Sequence, residues 1–172
     1  MRRALLAVTL IGATLAACSS EPPQLAGYQR DPTPNSADIV LPDESTGTGF
    51  ALQAADDGLL LVYFGYTACP DVCPTTLADI RTALRDLGDG AEVVEVAMVT
   101  VDPVRDTGEV LTGYIRSFFS DGRALRTEDD DLLADAAFLL GAGYDVEEND
   151  DGEVEVVHTA HVYVIDDAGD LL

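Results

Sequence analysis

The sequence predicts an α/β domain in which a central mixed sheet is flanked by helices. Two observations carry this. Apolar runs of strand length alternate with segments whose apolar residues recur at helical spacing. Of the 172 residues, 47% are hydrophobic, enough for a substantial core and incompatible with wholesale disorder. One ordinary domain fits this length, with room for a signal segment and a linker.

Ile39-Val40-Leu41 and Phe50-Ala51-Leu52 flank a loop of Pro, Asp, Ser, Thr and Gly and suggest a short hairpin. Leu59 to Phe64 is a continuous apolar run, the pattern of a strand buried on both faces. Gly65 to Val72 reads as loop. From about Pro74 to Leu87, Leu77, Ile80, Leu84 and Leu87 recur at helical spacing before Gly88. Val93 to Val101 is the next strand. A helix is expected over 107–119, with Val110, Leu111, Tyr114, Ile115 and Phe118 on one side. Another is expected over 128–141, where Glu128 to Asp131 complement the positive end of the helix dipole. Tyr144 to Val157 holds an acidic loop, Glu147 to Glu153, between two short extended pieces. Val162 to Ile165 is a last strand, and Asp166-Asp167-Ala168-Gly169 a turn.

Thirty-two Asp and Glu face nine Arg and no Lys, a formal charge of −23. Such a surface repels nucleic acid phosphates and anionic lipid head groups, so both partners are excluded. The composition suits either a salt-rich habitat or a genome that avoids Lys codons, and neither bears on chemistry.

The N-terminus carries an address. Arg2 and Arg3 precede an apolar stretch, Ala4 to Ala17, too short to span a bilayer. It ends in Leu15-Ala16-Ala17-Cys18, which resembles a bacterial lipobox, where cleavage before the cysteine is followed by lipidation of its thiol. Residues 1–17 are therefore read as a lipoprotein signal peptide and 18–37, rich in Ser, Pro, Gln and Asn, as a lipidated flexible tether. The domain proper is expected over 38–172, on the outer face of the cytoplasmic membrane.

With Cys18 acylated, two of the three cysteines remain as thiols. They lie in Cys69-Pro70-Asp71-Val72-Cys73-Pro74, directly after a buried strand and at a helix start. Three intervening residues put the sulfurs about one helical turn apart, within reach of one metal ion or of each other. A helix N-terminus favours thiolate, the form that binds metal and attacks disulfides. The chain has two histidines, His158 and His161, and an offset of three on a regular strand sends them to opposite faces, so one of them can join a dithiol site. Two thiolates suit Cu(I), and one imidazole completes a set that also holds Cu(II). Zinc asks for four ligands, and a fourth is not evident.

The segment Tyr63-Phe64-Gly65-Tyr66-Thr67-Ala68-Cys69-Pro70-Asp71-Val72-Cys73-Pro74-Thr75-Thr76-Leu77 closely resembles the signature of the Sco/SenC family. Val99 to Thr107, containing Asp102-Pro103-Val104-Arg105-Asp106, resembles that family's second segment. His158-Thr159 followed by the Val162 to Asp166 strand resembles its third. The resemblance implies a thioredoxin-like domain that binds copper and assists assembly of the CuA centre in cytochrome c oxidase subunit II. It implies Cys69, Cys73 and His158 as copper ligands, and leaves His161 as a strand residue. His158, read as loop-borne, is then the ligand expected to let go during transfer. Asp71 is a candidate for tuning the site, with solvation as its plainer role. Asp102 and Arg105 are expected to shape the adjoining loop, and Met98 to sit in the core. Partners would include other copper chaperones or thiol reductases besides the oxidase subunit. Some family members act instead as thiol–disulfide reductases, with Cys69 attacking and Cys73 resolving. The family continues past the position of Leu172 into a strand and a helix, which implies a C-terminally short domain here.

Overall fold

The apolar run in the middle of the chain is buried on both faces because a helical layer covers each. It forms β3 (Leu59–Gly65), preceded by β1 (Val40–Asp43) and β2 (Thr48–Ala51) and followed by α1 (Val72–Leu87). After a 3₁₀ turn, Gly88–Val93, come β4 (Val94–Thr100), α2 (Gly108–Arg116), β5 (Arg123–Leu125), α3 (Asp130–Leu140), β6 (Tyr144–Glu148), β7 (Val154–His158) and β8 (Val162–Ile165). This computed structural model describes residues 27–149 and 151–172. The signal segment, Cys18 and the first part of the predicted tether lie outside the described residues.

Six strands form one mixed sheet in the order β2-β1-β5-β4-β3-β8. The pairs β3–β4 and β4–β5 are parallel, while β8 runs antiparallel to β3 and β1 antiparallel to β5. Strand alternation sends Leu60, Val62 and Phe64 to one core, with Ala97 and Val99 of β4 and Leu133, Ala136 and Leu140 of α3. Tyr63 points the other way, into a second core with Met98, Leu77 and Ile80 of α1, and Leu111 and Ile115 of α2. Met98 is thus a core residue, as expected. A separate two-stranded sheet, β6–β7, carries His158 at its end. Asn149 shapes its turn by accepting from the amides of Asp151 and Glu153 at 3.0 and 2.9 Å.

Three features depart from expectation. The central strand β5 is three residues long, too short to register as a periodic pattern, yet it joins β1 to β4. Helix α1 begins two residues before Pro74, because that proline's missing N–H falls among amides that have no partner inside a helix anyway. The stretch predicted as tether up to residue 37 is docked from Arg30 onward. Arg30 donates to the Leu139 carbonyl at 2.6 Å, and the amide of Leu171 donates to the Pro34 carbonyl at 3.0 Å. Ser36 is fully buried and donates to the Leu52 carbonyl at 2.7 Å. The polar side chains that suggest a free linker here satisfy buried backbone instead, and the boundary at 38 falls inside packed structure.

Asp43, 1% exposed, ties the first hairpin to the central strands. Its carboxylate accepts from Ser45 N and Oγ at 2.9 and 2.5 Å, Thr46 Oγ1 at 3.1 Å, and Arg123 and the Ala124 amide at 3.3 Å each. Burial pushes its pKa up, but the bonds from Ser45, Thr46 and Arg123 outweigh that and hold it below the ordinary 3.8. A carboxyl depressed in the fold stabilises it above the ordinary value, and this contribution drains away as pH falls through the folded value. Asp43→Asn should therefore lower stability by about 1–3 kcal/mol in urea unfolding at neutral pH. The deficit should shrink as the comparison is repeated below pH 3.8.

Candidate metal centre

The site is built where β3 stops and α1 starts. Gly65 closes β3, and a Cβ there would lie 3.0 Å from Cys73 Sγ and 2.8 Å from the Tyr63 ring, so only glycine lets the helix start settle so closely on the strand. Asp71 precedes the helix, but its side chain makes no capping hydrogen bond and is exposed. The sulfur of Cys69 does that work: the amide of Cys73, one of the unpaired N–H groups of the first turn, donates to Cys69 Sγ at 3.3 Å. Both thiols are free, Cys73 fully buried and Cys69 8% exposed.

His158 arrives from the opposite direction, as the last residue of β7. It is held at a strand end rather than on a loop, since its neighbour Thr159 donates its amide to Gly143 at 2.9 Å and β6 pairs Tyr144 with His158. Nε2 stands 3.3 Å from Cys73 Sγ, and Nδ1 lies 3.0 Å from the Thr159 carbonyl. With that carbonyl accepting from Nδ1–H, the lone pair of neutral imidazole is left on Nε2, facing the sulfurs. The donor atoms of Cys69, Cys73 and His158 all lie within 4.8 Å of one another. No other such group of His, Cys, Asp and Glu occurs among the described residues. His161 is exposed and packs its ring against Tyr163, 6.2 Å between centroids. The chain leaves regular strand after His158, so this break, more than strand alternation, separates the two histidines.

Asp106 anchors the cysteine loop, a role that the sequence reading did not assign to it. Fully buried, it accepts from the Thr67 amide at 3.0 Å, Thr67 Oγ1 at 2.5 Å and Thr100 Oγ1 at 2.6 Å. Thr67 is two residues before Cys69, and Thr100 ends β4. A signal for it existed in the Asp-Thr at 106–107 that starts α2, where Thr107 caps the helix and Asp106 is left to face inward. Asp102 and Arg105 form an ion pair beside it, as expected of loop-shaping residues.

Three tyrosines wall the site. The rings of Tyr63 and Tyr66 stand nearly perpendicular to the His158 imidazole, at 5.9 and 5.8 Å. Burial pushes the Tyr63 phenol well up, with the adjacent Cys73 adding to it. Burial raises Tyr66 as well, reinforced by Cys69, and burial followed by the two sulfurs raises Tyr114 to about 12. The hydroxyls of Tyr63 and Tyr114 are buried without a hydrogen-bond partner among the described residues.

Residues 43–172 match the family model for SCO1/SenC. The chain is a member of the SCO1/SenC family. The family assignment from the sequence signature therefore holds, and so does the thioredoxin-like fold it implied. An SCO2-like protein of Rickettsia prowazekii is 35% identical over 113 residues, which cover 64% of this chain and 55% of the relative. The match thus spans little more than half of that curated relative. Among solved structures, copper-bound ScoI of Bradyrhizobium japonicum superposes with a TM-score of 0.69 at 30% identity, covering 80% of this chain and 87% of that one. Apo Sco1 of Thermus thermophilus gives 0.67 at 33% identity, with 81% and 80% covered. In this SCO1/SenC domain, two sulfurs and one imidazole nitrogen form a donor set whose softness fits copper.

Asp106→Asn places an amide N–H₂ among three donors. Stability should fall by about 1–3 kcal/mol, and the Thr67 amide should exchange with solvent markedly faster than in the parent. Unchanged exchange at Thr67 would show that the loop is held by something else.

Proposed function

We propose that this SCO1/SenC protein is a membrane-tethered copper chaperone that assists assembly of the CuA centre of cytochrome c oxidase subunit II. The observation that carries the reading is the convergence of Cys69, Cys73 and His158, whose donor atoms lie within 4.8 Å of one another. Two thiolates give a soft pair that suits Cu(I), and the imidazole extends the set to Cu(II). Copper is cargo here. It enters as the thiols lose their protons, and leaves by ligand exchange once one donor lets go. His158 suits that step, because it belongs to a small two-stranded sheet separate from the sheet that positions the thiols. The family resemblance and the copper-bound relative of 30% identity support copper as the metal. The tether and the location on the outer face of the cytoplasmic membrane rest on the lipobox-like Leu15 to Cys18.

A second reading is favoured by the unequal exposure of the two free thiols. Cys69, the less buried of the two, is the thiol to attack a substrate disulfide, and fully buried Cys73 the one to resolve the mixed disulfide. The substrate would take up two electrons and the chain would be left as the Cys69–Cys73 disulfide. This chemistry needs neither copper nor His158.

Anaerobic titration separates the two. The reduced chain should take up one equivalent of copper, His158→Ala should lose most Cu(II) binding, and Cys69→Ser should lose both oxidation states. Copper uptake unchanged in Cys69→Ser removes the metal reading. Disulfide reduction that persists in His158→Ala without copper favours the reductase. Independently, Cys18→Ser should shift the protein from the membrane to the soluble fraction on cell fractionation.

A further inference from the structure

Tyr66 lies between the metal centre and the loop that follows β4. Its ring stands at 89° to the His158 imidazole, 5.8 Å between centroids. The Arg105 guanidinium also lies over this ring, 5.7 Å from its centroid. Arg105 is itself fixed by its ion pair with Asp102, whose side chain is 4% exposed. Asp102 is held in turn by its backbone, whose amide donates to Thr100 Oγ1 at 3.0 Å. The chain of contacts therefore runs from buried Asp102 through Arg105 and Tyr66 to the imidazole. The imidazole also meets Tyr63, which is fully buried on β3.

The two walls differ in kind. Tyr63 is locked in the core and cannot yield. Tyr66 is only partly buried, sits at the first residue after β3, and is flanked by Arg105 as well as by the two cores. Apart from the adjacent Thr159 carbonyl and the Cys73 sulfur, the imidazole makes no further hydrogen bond among the described residues. Two hydrogen bonds and two ring–ring contacts therefore orient it together, and of the two rings Tyr66 is the less buried.

We propose that Tyr66, braced by Arg105, is a positioning residue that holds the His158 imidazole with Nε2 toward the two sulfurs, and that it thereby sets the affinity for Cu(II) selectively over Cu(I). The selectivity follows from the donors: thiolates alone satisfy Cu(I), whereas Cu(II) needs the nitrogen. The copper half of this inference rests on the proposed function, while the positioning half does not.

Two measurements on the full chain test it. In the reduced, metal-free protein labelled with ¹⁵N-histidine, His158 should show one tautomer protonated at Nδ1. Tyr66→Leu should convert it to an average of two tautomers, Tyr66→Phe should keep the parent spectrum, and Arg105→Met, which leaves the ring in place, should fall between. Copper titration should then give a loss of about tenfold in Cu(II) affinity for Tyr66→Leu, the scale on which contacts behind a ligand act, with Cu(I) affinity unchanged. In a His158→Ala background the same substitution should have no further effect. A parent-like His158 spectrum in both Tyr66→Leu and Arg105→Met overturns the proposal. So does an equal fall in Cu(I) and Cu(II) affinity, or a Tyr66→Leu effect that persists without His158. A parent protein that binds no copper overturns the proposed function and the selectivity drawn from it, and the tautomer measurement then still decides the positioning role.

Discussion

A contact of 3.3 Å between Cys73 Sγ and His158 Nε2 joins parts of the chain 85 residues apart, and the rest of the architecture is arranged around making it. Neither group can reach the other by local structure. Cys73 is fixed at the head of α1 by a strand that is buried on both faces, so the position of its sulfur is set by the two cores. His158 comes in from a hairpin that shares no ladder with the main sheet. The separation of duties has a physical logic: the part that must stay put is anchored by bulk hydrophobic burial, and the hairpin that completes the site adds to hydrogen bonds and ring contacts only the partly buried Tyr144 and Val156.

Polar burial does the remaining positioning. Among the described residues Asp106 forms no ion pair, and its carboxylate accepts from neutral donors of Thr67 and Thr100. Such an arrangement specifies geometry strictly, because both carboxylate oxygens are satisfied by fixed donors and a rearranged loop would strand a buried carboxylate. Asp43 plays the corresponding part on β1, where it meets β5. In a chain with 32 acidic residues, the few that are buried are the ones that hold the loops in register.

Much of this was legible in the sequence, for identifiable reasons. The β3 run, α1 and β8 have strong patterns of the right length, and the Cys-x₃-Cys segment announces itself by residue type and by its place after a buried strand. Strand β5 was not legible, since three residues cannot display a period, and Arg123 at its start reads as surface. The docking of residues 30–37 was hidden because Ser, Asn and Pro have the same composition whether they float in solvent or cap buried carbonyls. For the site, the thiols and His158 came from the motif, whereas Asp106 and Tyr66 did not stand out. Their roles exist only in the relation between the end of β3 and the loop after β4, which the parallel pairing of β3 with β4 brings side by side.

The sulfur cap on α1 has a thermodynamic corollary. Cys69 is at once the acceptor for the first-turn amide and a member of the donor set. Electron density committed to a metal or to a second sulfur is withdrawn from that amide, so every change of occupancy is also a change in how firmly a sixteen-residue helix is begun. Cargo state and helix-end stability are two readings of one variable, linked as any two equilibria that share an atom must be.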